Sequence, residues 1–186
     1  MADEKTEKPE KEKQEKVKAE FDRERVIAEA EGPAKELYDQ SRFGELKEGK
    51  VQYSLVEALF LLEKGKMEIK DGRKKLKPED FIKKAREFET KFWIRYCVFR
   101  DMRQRGYIVK TALKFGADFR VYDRGVKPGE DHAKWIVYPV HETEAMTMHE
   151  FAAKNRVAHS TKKRLLLAIV DEENECVFYE IKWIRP

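Results

Sequence analysis

The chain has 186 residues, enough for one large domain or two small ones, and charged and hydrophobic residues each make up 41% of it. The formal net charge of +4 permits a polyanionic partner without requiring one. No run of about 18 apolar residues occurs and the N-terminus has no apolar core, which excludes a membrane span and a signal peptide and favours a soluble cytoplasmic protein.

The first half of the chain predicts a charged arm and a small α/β domain. Residues 1–20 are nearly all Lys and Glu, so they are expected to form a disordered or frayed-helical arm, with a nucleic-acid-binding tail as the alternative. Strands are predicted at residues 24–30, 50–54 and 67–70, with a turn at 32–33. Ser54 is a candidate N-cap for a helix whose apolar stripe ends at Gly65.

A helical region separates the two halves. The segment KPEDFIKKAREF, residues 77–88, starts a helix with Pro78 in its first turn, and this helix either continues or bends near Thr90. Aromatic and methionine side chains then recur at helical spacing, which indicates core packing. The domain boundary is placed here, between an N-terminal α/β domain at 21–95 and a C-terminal domain at 96–186.

From Tyr107 onward the sequence has the composition of a β-sheet. Five segments are rich in branched and aromatic residues: YIVKTAL, ADFRVYD, KWIVYPV, RLLLAIVD and CVFYEIKWI. One helix, at about residues 146–163, interrupts them. The predicted fold class is therefore α+β, or mixed α/β, with a small N-terminal α/β domain and a C-terminal domain whose central mixed β-sheet is flanked by helices.

The short signatures of common enzyme classes are absent from the sequence. It contains no GxxxxGK[ST], GxGxxG, HExxH or GxSxG pattern. Cys97 and Cys176 have neither CxxC nor zinc-ligand spacing, so two reduced thiols in a reducing compartment are expected. A metal-dependent nuclease would need clustered carboxylates beside a lysine, and Asp118, Glu180 and Lys182 are the candidates, at an unconvincing spacing.

Polar residues at the strand ends of the second half are the stronger candidates for chemistry. Tyr122 ends one predicted strand, the loop DRGVKPGED follows, and His132 precedes the next strand, so one cleft can receive both side chains. Farther on, Lys162, Lys163 and Arg164 lie where a helix ends and an apolar strand begins. Cations are favourable at any helix C-terminus, so a purely capping role for them is left open.

Several long segments of the chain resemble one known family. They are RGYIVKTALKFGADFRVYDRG with the following His132, RVAHSTKKRLLLAIVD, the aromatic and basic C-terminal tail, and YSLVEALFLLEKGKMEI in the first half. The resemblance is to the archaeal tRNA-splicing endonucleases of the single-unit catalytic type, and it covers the chain from about residue 24. It implies a C-terminal catalytic nuclease domain with the triad Tyr122, His132 and Lys163, in which only the motif distinguishes Lys163 from Lys162.

The chemistry implied by the resemblance is cleavage of RNA through its own 2′-hydroxyl, without a metal or cofactor. Tyr122 would remove the 2′-proton, His132 would protonate the leaving 5′-oxygen, and Lys163 would stabilise the negative charge of the transition state. Histidine suits the acid role because it titrates near neutrality. A tyrosine is a weak base at pH 7, and the positive charges of Lys163 and Arg124 would favour its ionised form. The products would be a 2′,3′-cyclic phosphate and a 5′-hydroxyl.

The resemblance also implies a substrate, precursor tRNA folded into a bulge-helix-bulge at the intron–exon junctions. Arg156 and Trp183 match the family's cation–π clamp, in which two flat side chains hold a bulged base between them. An aromatic residue packed on the sheet is the alternative for Trp183. His159 lies close to the motif, but the resemblance gives it no catalytic role.

Two bulges require two active sites at a fixed separation, and the family assembles into tetramers, or into dimers of longer chains. The C-terminal strands would pair two subunits, and the acidic segment DEENE at 171–175 would insert into a basic pocket of the neighbouring pair. Two-gene forms carry an extra loop in the first half, and no such insertion is seen between Glu31 and Tyr53. A homotetramer is therefore favoured over a heterotetramer with a structural subunit. A non-catalytic RNA-binding or structural subunit of the same assembly is the alternative function.

Overall fold

The structure, a computed structural model, describes residues 15–112, 116–126, 129 and 132–184. Within these ranges the chain forms eleven strands in two β-sheets, together with five helices. Each sheet contains parallel and antiparallel pairs, so the fold is α+β, as predicted. No helix in the same ranges is both long enough and apolar enough to cross a lipid bilayer.

The N-terminal half is built on a six-stranded sheet. Its elements are β1 (Val17–Asp22), β2 (Arg25–Glu29), α1 (Gly32–Ser41), β3 (Glu45–Lys47), β4 (Lys50–Ser54), α2 (Leu55–Glu63), β5 (Met67–Asp71), β6 (Lys74–Lys75) and α3 (Pro78–Phe88). The strand order is β3-β4-β2-β1-β5-β6, with β1 parallel to β5. Helix α2 is buried on all sides from Leu55 to Leu61, so it forms the centre of this half.

The first strand corrects one prediction. β1 begins at Val17, so residues 17–20 belong to the sheet and not to a disordered arm, while residues 1–14 lie outside the described part of the chain. Val17, Ala19 and Phe21 are buried and the charged residues between them are exposed. This alternation is typical of a strand with one face on the core, and it accommodates a highly charged sequence.

The predicted N-cap of α2 is confirmed, one of the two alternatives for the helical region is found, and one predicted turn is a helix instead. The backbone N–H and the hydroxyl of Ser54 both donate to the Glu57 carboxylate, at 3.0 and 2.8 Å, where α2 begins. Helix α3 ends at Phe88 and the next helix begins at Phe92, so the helical region bends there. The turn predicted at residues 32–33 is the first turn of α1, a position where proline is well tolerated.

The C-terminal half is built on a five-stranded mixed sheet. Its elements are α4 (Phe92–Gln104), β7 (Ile108–Thr111), β8 (Phe119–Tyr122), β9 (Trp135–His141), α5 (Met148–Ser160), β10 (Arg164–Val170) and β11 (Cys176–Ile181). The strand order is β11-β10-β9-β8-β7, with β9 parallel to β10. Phe99 of α4 contacts Phe119 on one face of the sheet, and Ala158 of α5 clusters with Ile136 and Leu165 on the other. The sheet is therefore flanked by helices, as predicted.

Helix α4 joins the two halves into one core. The ring centroid of Phe99 lies 5.9 Å from that of Phe60 in α2 and 6.1 Å from that of Phe119 in β8. These three rings belong to one continuous cluster of buried side chains that spans both sheets. The boundary predicted at residues 95/96 therefore falls inside a helix that both halves share.

Candidate active site

Tyr122 and Lys163 lie at the same end of the strands in the C-terminal sheet, on either side of β9. Tyr122 is the last residue of β8, and Lys163 immediately precedes β10. Lys134 lies between them: its N–H donates to the Val121 carbonyl at 2.9 Å, and its carbonyl accepts from the Arg164 N–H at 3.0 Å. Because neighbouring strands are about 4.8 Å apart, the Tyr122 and Lys163 backbones are about 10 Å apart.

The register also assigns these two residues to one face of the sheet. Arg120, Ile136 and Leu165 are paired across β8, β9 and β10, so their side chains share a face. Side chains alternate along a strand, so residues two apart share a face. Tyr122 follows Arg120 by two residues and Lys163 precedes Leu165 by two, which places both on the face that α5 covers.

His132 lies at the same end of the strands, three residues before β9 begins at Trp135, and it is exposed. Residues 127–128 and 130–131, in the loop that joins it to Tyr122, lie outside the described part of the chain. The three predicted triad residues thus lie at one end of the strands: Tyr122 ends β8, His132 precedes β9 and Lys163 precedes β10. Their catalytic roles stay a prediction.

The two cations expected to favour an ionised Tyr122 occupy different places. Arg124 holds its guanidinium 5.1 Å from the ring centroid of Tyr107, the residue just before β7. Lys163 lies on the Tyr122 face, and its ammonium donates to the Thr161 carbonyl at 2.8 Å. Lys163 therefore also contacts a carbonyl at the end of α5, the kind of contact that the capping interpretation anticipates.

The turn after α5 separates Lys162 from Lys163. Lys162 adopts a left-handed conformation with φ of 55° and is exposed. Lys163 is partly buried, and its N–H donates to the Ala158 carbonyl at 2.8 Å. The tight turn therefore leaves Lys163, and not Lys162, in line with β10 on the side of Tyr122.

Arg156 and Trp183 line one surface pocket of about 400 Å³. Its walls come from one face of α5 and from the tail beyond β11, and comprise Phe151, Ala152, Asn155, Arg156, His159 and Trp183. Trp183 is 53% exposed and lies two residues beyond the end of β11. It packs on α5, so the fold brings the two predicted clamp residues together at one pocket.

His159 is a member of this pocket that sequence reasoning does not identify. Its ring meets the Trp183 indole edge-on, with centroids 4.7 Å apart and planes at 78°. His159 follows Arg156 by three residues, so the two share a helix face. That spacing is visible in the sequence, but it gains meaning only when Trp183 reaches the same face.

The candidate metal cluster of Asp118, Glu180 and Lys182 is not formed. Asp118 pairs with Arg95 at 3.0 Å, and burial raises the pKa of this carboxyl. Glu180 accepts from the Trp135 indole at 2.8 Å, a hydrogen bond that lowers its pKa. Asp118 precedes β8 and Glu180 lies on β11, three strands or about 14 Å away. Among the described residues no three His, Cys, Asp or Glu side chains are arranged to hold a metal.

A pocket of about 290 Å³ lies between the two halves and is lined by three cationic side chains, Arg42, Lys110 and Arg120. We call it the basic pocket. Glu45 is the acidic residue in its lining. The Lys110 ammonium donates to the Gly44 carbonyl at 2.6 Å, and burial lowers the pKa of Lys110. Within the described part of the chain, Nε of Arg42 and Nε of Arg120 are buried without a hydrogen-bond partner. The basic pocket therefore has unused donors and an excess of positive charge.

The acidic loop, residues 171–175 between β10 and β11, is anchored on α4. The Trp93 indole donates to Oδ1 of Asn174 at 2.5 Å, and Asn174 adopts a left-handed conformation with φ of 65°. The exposed acidic residues of the loop are Glu172, Glu173 and Glu175. The loop therefore presents carboxylates outward from a fixed base.

Strand β11 forms one edge of the C-terminal sheet and exposes apolar side chains. Val177 is 52% exposed and Tyr179 is 55% exposed, although both residue types are commonly buried in strands. An apolar edge strand presents backbone donors and acceptors to which another chain can add. β11 is therefore a candidate surface for pairing two copies.

Two family models match the chain, one for each half. The model described as the N-terminal domain of tRNA intron endonuclease matches residues 17–82. The model described as its catalytic C-terminal domain matches residues 92–182. The two matches follow the order of the six-stranded and five-stranded sheets.

Proteins named tRNA-splicing endonuclease are similar to the chain over most of its length. One from Thermococcus onnurineus is 41% identical, over 87% of this chain and 92% of the relative. One from Nanoarchaeum equitans is 49% identical, over 71% of this chain and 88% of the relative. One from Methanothermobacter thermautotrophicus is 37% identical, over 92% of this chain and 99% of the relative. The chain belongs to the tRNA intron endonuclease family.

Proposed function

We propose that the protein is a tRNA-splicing endonuclease that cuts precursor tRNA at both splice sites of a bulge-helix-bulge motif. The observation that supports this proposal is that Tyr122, His132 and Lys163 lie at one end of the strands β8, β9 and β10 in a chain of this family. The alternative, a non-catalytic RNA-binding or structural subunit, predicts that these residue types are lost. All three are present in the sequence.

In the proposed reaction the substrate's own 2′-oxygen attacks the neighbouring phosphorus. Tyr122, acting as its phenolate, takes the 2′-proton as the new oxygen–phosphorus bond forms, and His132, acting as its imidazolium, delivers a proton to the 5′-oxygen as its bond to phosphorus breaks. Lys163 offsets the negative charge that develops on the phosphate oxygens. No water is consumed, so the products are a 2′,3′-cyclic phosphate and a 5′-hydroxyl. The three side chains supply each proton transfer and the charge stabilisation, so the step uses neither a metal nor a cofactor.

The function is tested by incubating a bulge-helix-bulge RNA with the protein in EDTA and analysing the product ends. We expect cleavage at both bulges, with cyclic phosphate and 5′-hydroxyl ends. Lys163→Ala is expected to lower the cleavage rate by about 10²–10³-fold, the usual loss when one group that stabilises developing charge is removed. Lys162→Ala is the matched control and should retain the wild-type rate, since Lys162 is exposed and lies in the left-handed turn before Lys163. Cleavage only with Mg²⁺, or equal losses in both variants, would contradict the proposal.

We also propose that the pocket between α5 and Trp183 holds a bulged base. Arg156 and Trp183 line this pocket together, and a guanidinium and an indole can enclose a base from two sides. The edge-on contact of His159 holds the Trp183 ring at this pocket. This arrangement recognises an unstacked base by shape and is indifferent to its sequence.

Arg156→Ala and Trp183→Ala are each expected to weaken RNA binding by about 1–3 kcal/mol, the usual value for one base–aromatic stack. The measurement is the dissociation constant of a non-cleavable bulge-helix-bulge RNA by fluorescence anisotropy. A fully paired duplex of the same length is the control RNA, and its affinity should change much less. Equal losses for both RNAs would show that the two residues act only on the phosphate backbone.

For the assembly we propose a homotetramer, in which β11 pairs with a second copy and the acidic loop enters the basic pocket of a neighbouring pair. The exposed carboxylates of Glu172 and Glu173 are opposite in charge to the Arg42, Lys110 and Arg120 side chains that line the basic pocket. The apolar edge of β11 supplies the first contact. In the heterotetramer alternative, the same two surfaces would meet a structural subunit.

A further inference from the structure

Lys134 is the residue at which the strand ends of the candidate active site are joined. Its backbone N–H bonds to Val121, which precedes Tyr122, and its carbonyl bonds to Arg164, which follows Lys163. His132 lies two residues before it. Lys134 therefore lies at the centre of the three predicted triad residues, although it is not one of them.

The side chain of Lys134 closes the loop that joins Tyr122 to His132. Its ammonium donates to Oδ2 of Asp123 at 2.7 Å, and Asp123 directly follows Tyr122. Oδ1 of Asp123 accepts from the Arg124 N–H at 3.0 Å, so the carboxylate is held from two sides. These hydrogen bonds lower the pKa of Asp123, as a carboxylate paired with a cation requires.

Among the described residues of the loop, the pair adds a side-chain link to two backbone hydrogen bonds, from Lys134 N–H to the Val121 carbonyl at 2.9 Å and from Val126 N–H to the Asp123 carbonyl at 3.2 Å. Gly125 and Gly129 have φ of 78° and 99°, conformations that glycine adopts freely. The Lys134 ammonium also lies 4.3 Å from the ring centroid of Trp135, which fixes the direction of the side chain. Trp135 is in turn held by the hydrogen bond from its indole to Glu180 on β11.

We propose that Asp123 and Lys134 are positioning residues, which hold Tyr122 and His132 at the separation that acid–base catalysis needs. The inference rests on the proposed function, because it concerns the geometry of that site. The two side chains are 47% and 35% exposed, and ion pairs this exposed contribute little to global stability. An effect on the rate can therefore be separated from unfolding.

The test compares single-turnover cleavage of a bulge-helix-bulge RNA at saturating enzyme with the dissociation constant of its non-cleavable form. Asp123→Asn and Lys134→Gln are each expected to slow cleavage by about 10–100-fold, since small misplacements of catalytic groups have effects of this size. The dissociation constant should stay within about twofold, because neither residue is proposed to touch the RNA. The exchanged pair, Asp123→Lys with Lys134→Asp, and the conservative Lys134→Arg should both recover most of the rate.

Lys75→Gln is the matched control, because Lys75 pairs with Glu68 at 2.8 Å on the distant N-terminal sheet. Its cleavage rate should equal that of the wild type. Wild-type rates in Asp123→Asn and Lys134→Gln would overturn the inference while leaving the proposed function intact. A weaker dissociation constant with an unchanged rate would also overturn it, since Lys134 would then be an RNA contact. Absence of cleavage by the wild-type protein would overturn both.

Discussion

His132→Ala is expected to slow cleavage of a bulge-helix-bulge RNA by about 10²–10⁴-fold, the usual contribution of one proton transfer. Alanine cannot protonate the leaving 5′-oxygen, so the chemical step slows while RNA binding is retained. The measurement is the single-turnover rate in EDTA at saturating enzyme. Binding is measured separately on an RNA that carries hydrogen in place of the 2′-hydroxyl at each cleavage site.

A modified substrate assigns the role of His132 more sharply than the rate alone. A sulfur atom in place of the leaving 5′-oxygen gives a thiolate leaving group, which needs no proton. This substrate should restore cleavage by His132→Ala but not by Tyr122→Phe, because the second variant lacks the base. His149→Ala is the matched control, since His149 is an exposed histidine in the first turn of α5. A wild-type rate for His132→Ala on the ordinary substrate would show that His132 is not the acid.

Reversing the charge of the acidic loop is expected to break the proposed tetramer into dimers. In Glu172→Lys with Glu173→Lys, two ammonium groups would face Arg42 and Arg120, and like charges brought together at an interface cost several kcal/mol. Every 1.4 kcal/mol weakens association about tenfold, so tetramers should be lost at micromolar concentrations. Sedimentation velocity measures the distribution of species.

The complementary change provides the internal control for this prediction. Arg42→Glu with Arg120→Glu should also give dimers, and mixing the two dimeric variants should restore a tetramer with opposite charges in register. Glu31→Lys with Glu36→Lys changes the net charge by as much as the Glu172→Lys and Glu173→Lys variant does, but on exposed residues elsewhere, and it should stay tetrameric. Tetramers in every variant, or no recovery on mixing, would refute the insertion of the acidic loop into the basic pocket.

Features of the fold that depend on one continuous segment are predictable from the sequence. The Ser54 cap of α2 follows from the local capping pattern. The sequence leaves open whether the helical region bends after α3, and the structure shows that it does. Strand β1 is not predictable from composition, because Val17, Ala19 and Phe21 alternate with Lys, Glu and Asp and the charges dominate. Its burial is decided by β2 and β5, which pair with it on either side.

The candidate site also has some features that one segment of sequence specifies and others that only the fold creates. Tyr122, His132 and Lys163 can be found from their motifs, because each lies within a long recognisable segment. The basic pocket cannot, since its three cations come from separate elements and only the fold brings them together. The same limit applies to the contact of His159 with Trp183, which exists because the tail turns back onto α5.

The hydrogen bond from Trp93 to Asn174 has a consequence for the entropy of association. A free acidic loop would lose conformational freedom when it enters a partner, and that loss would weaken binding. Here the ordering takes place when the chain folds, because Asn174 is already anchored on α4 and set in its left-handed conformation. Two copies would therefore meet with the carboxylates of Glu172 and Glu173 already presented, and little further ordering of the loop would oppose their assembly as temperature rises.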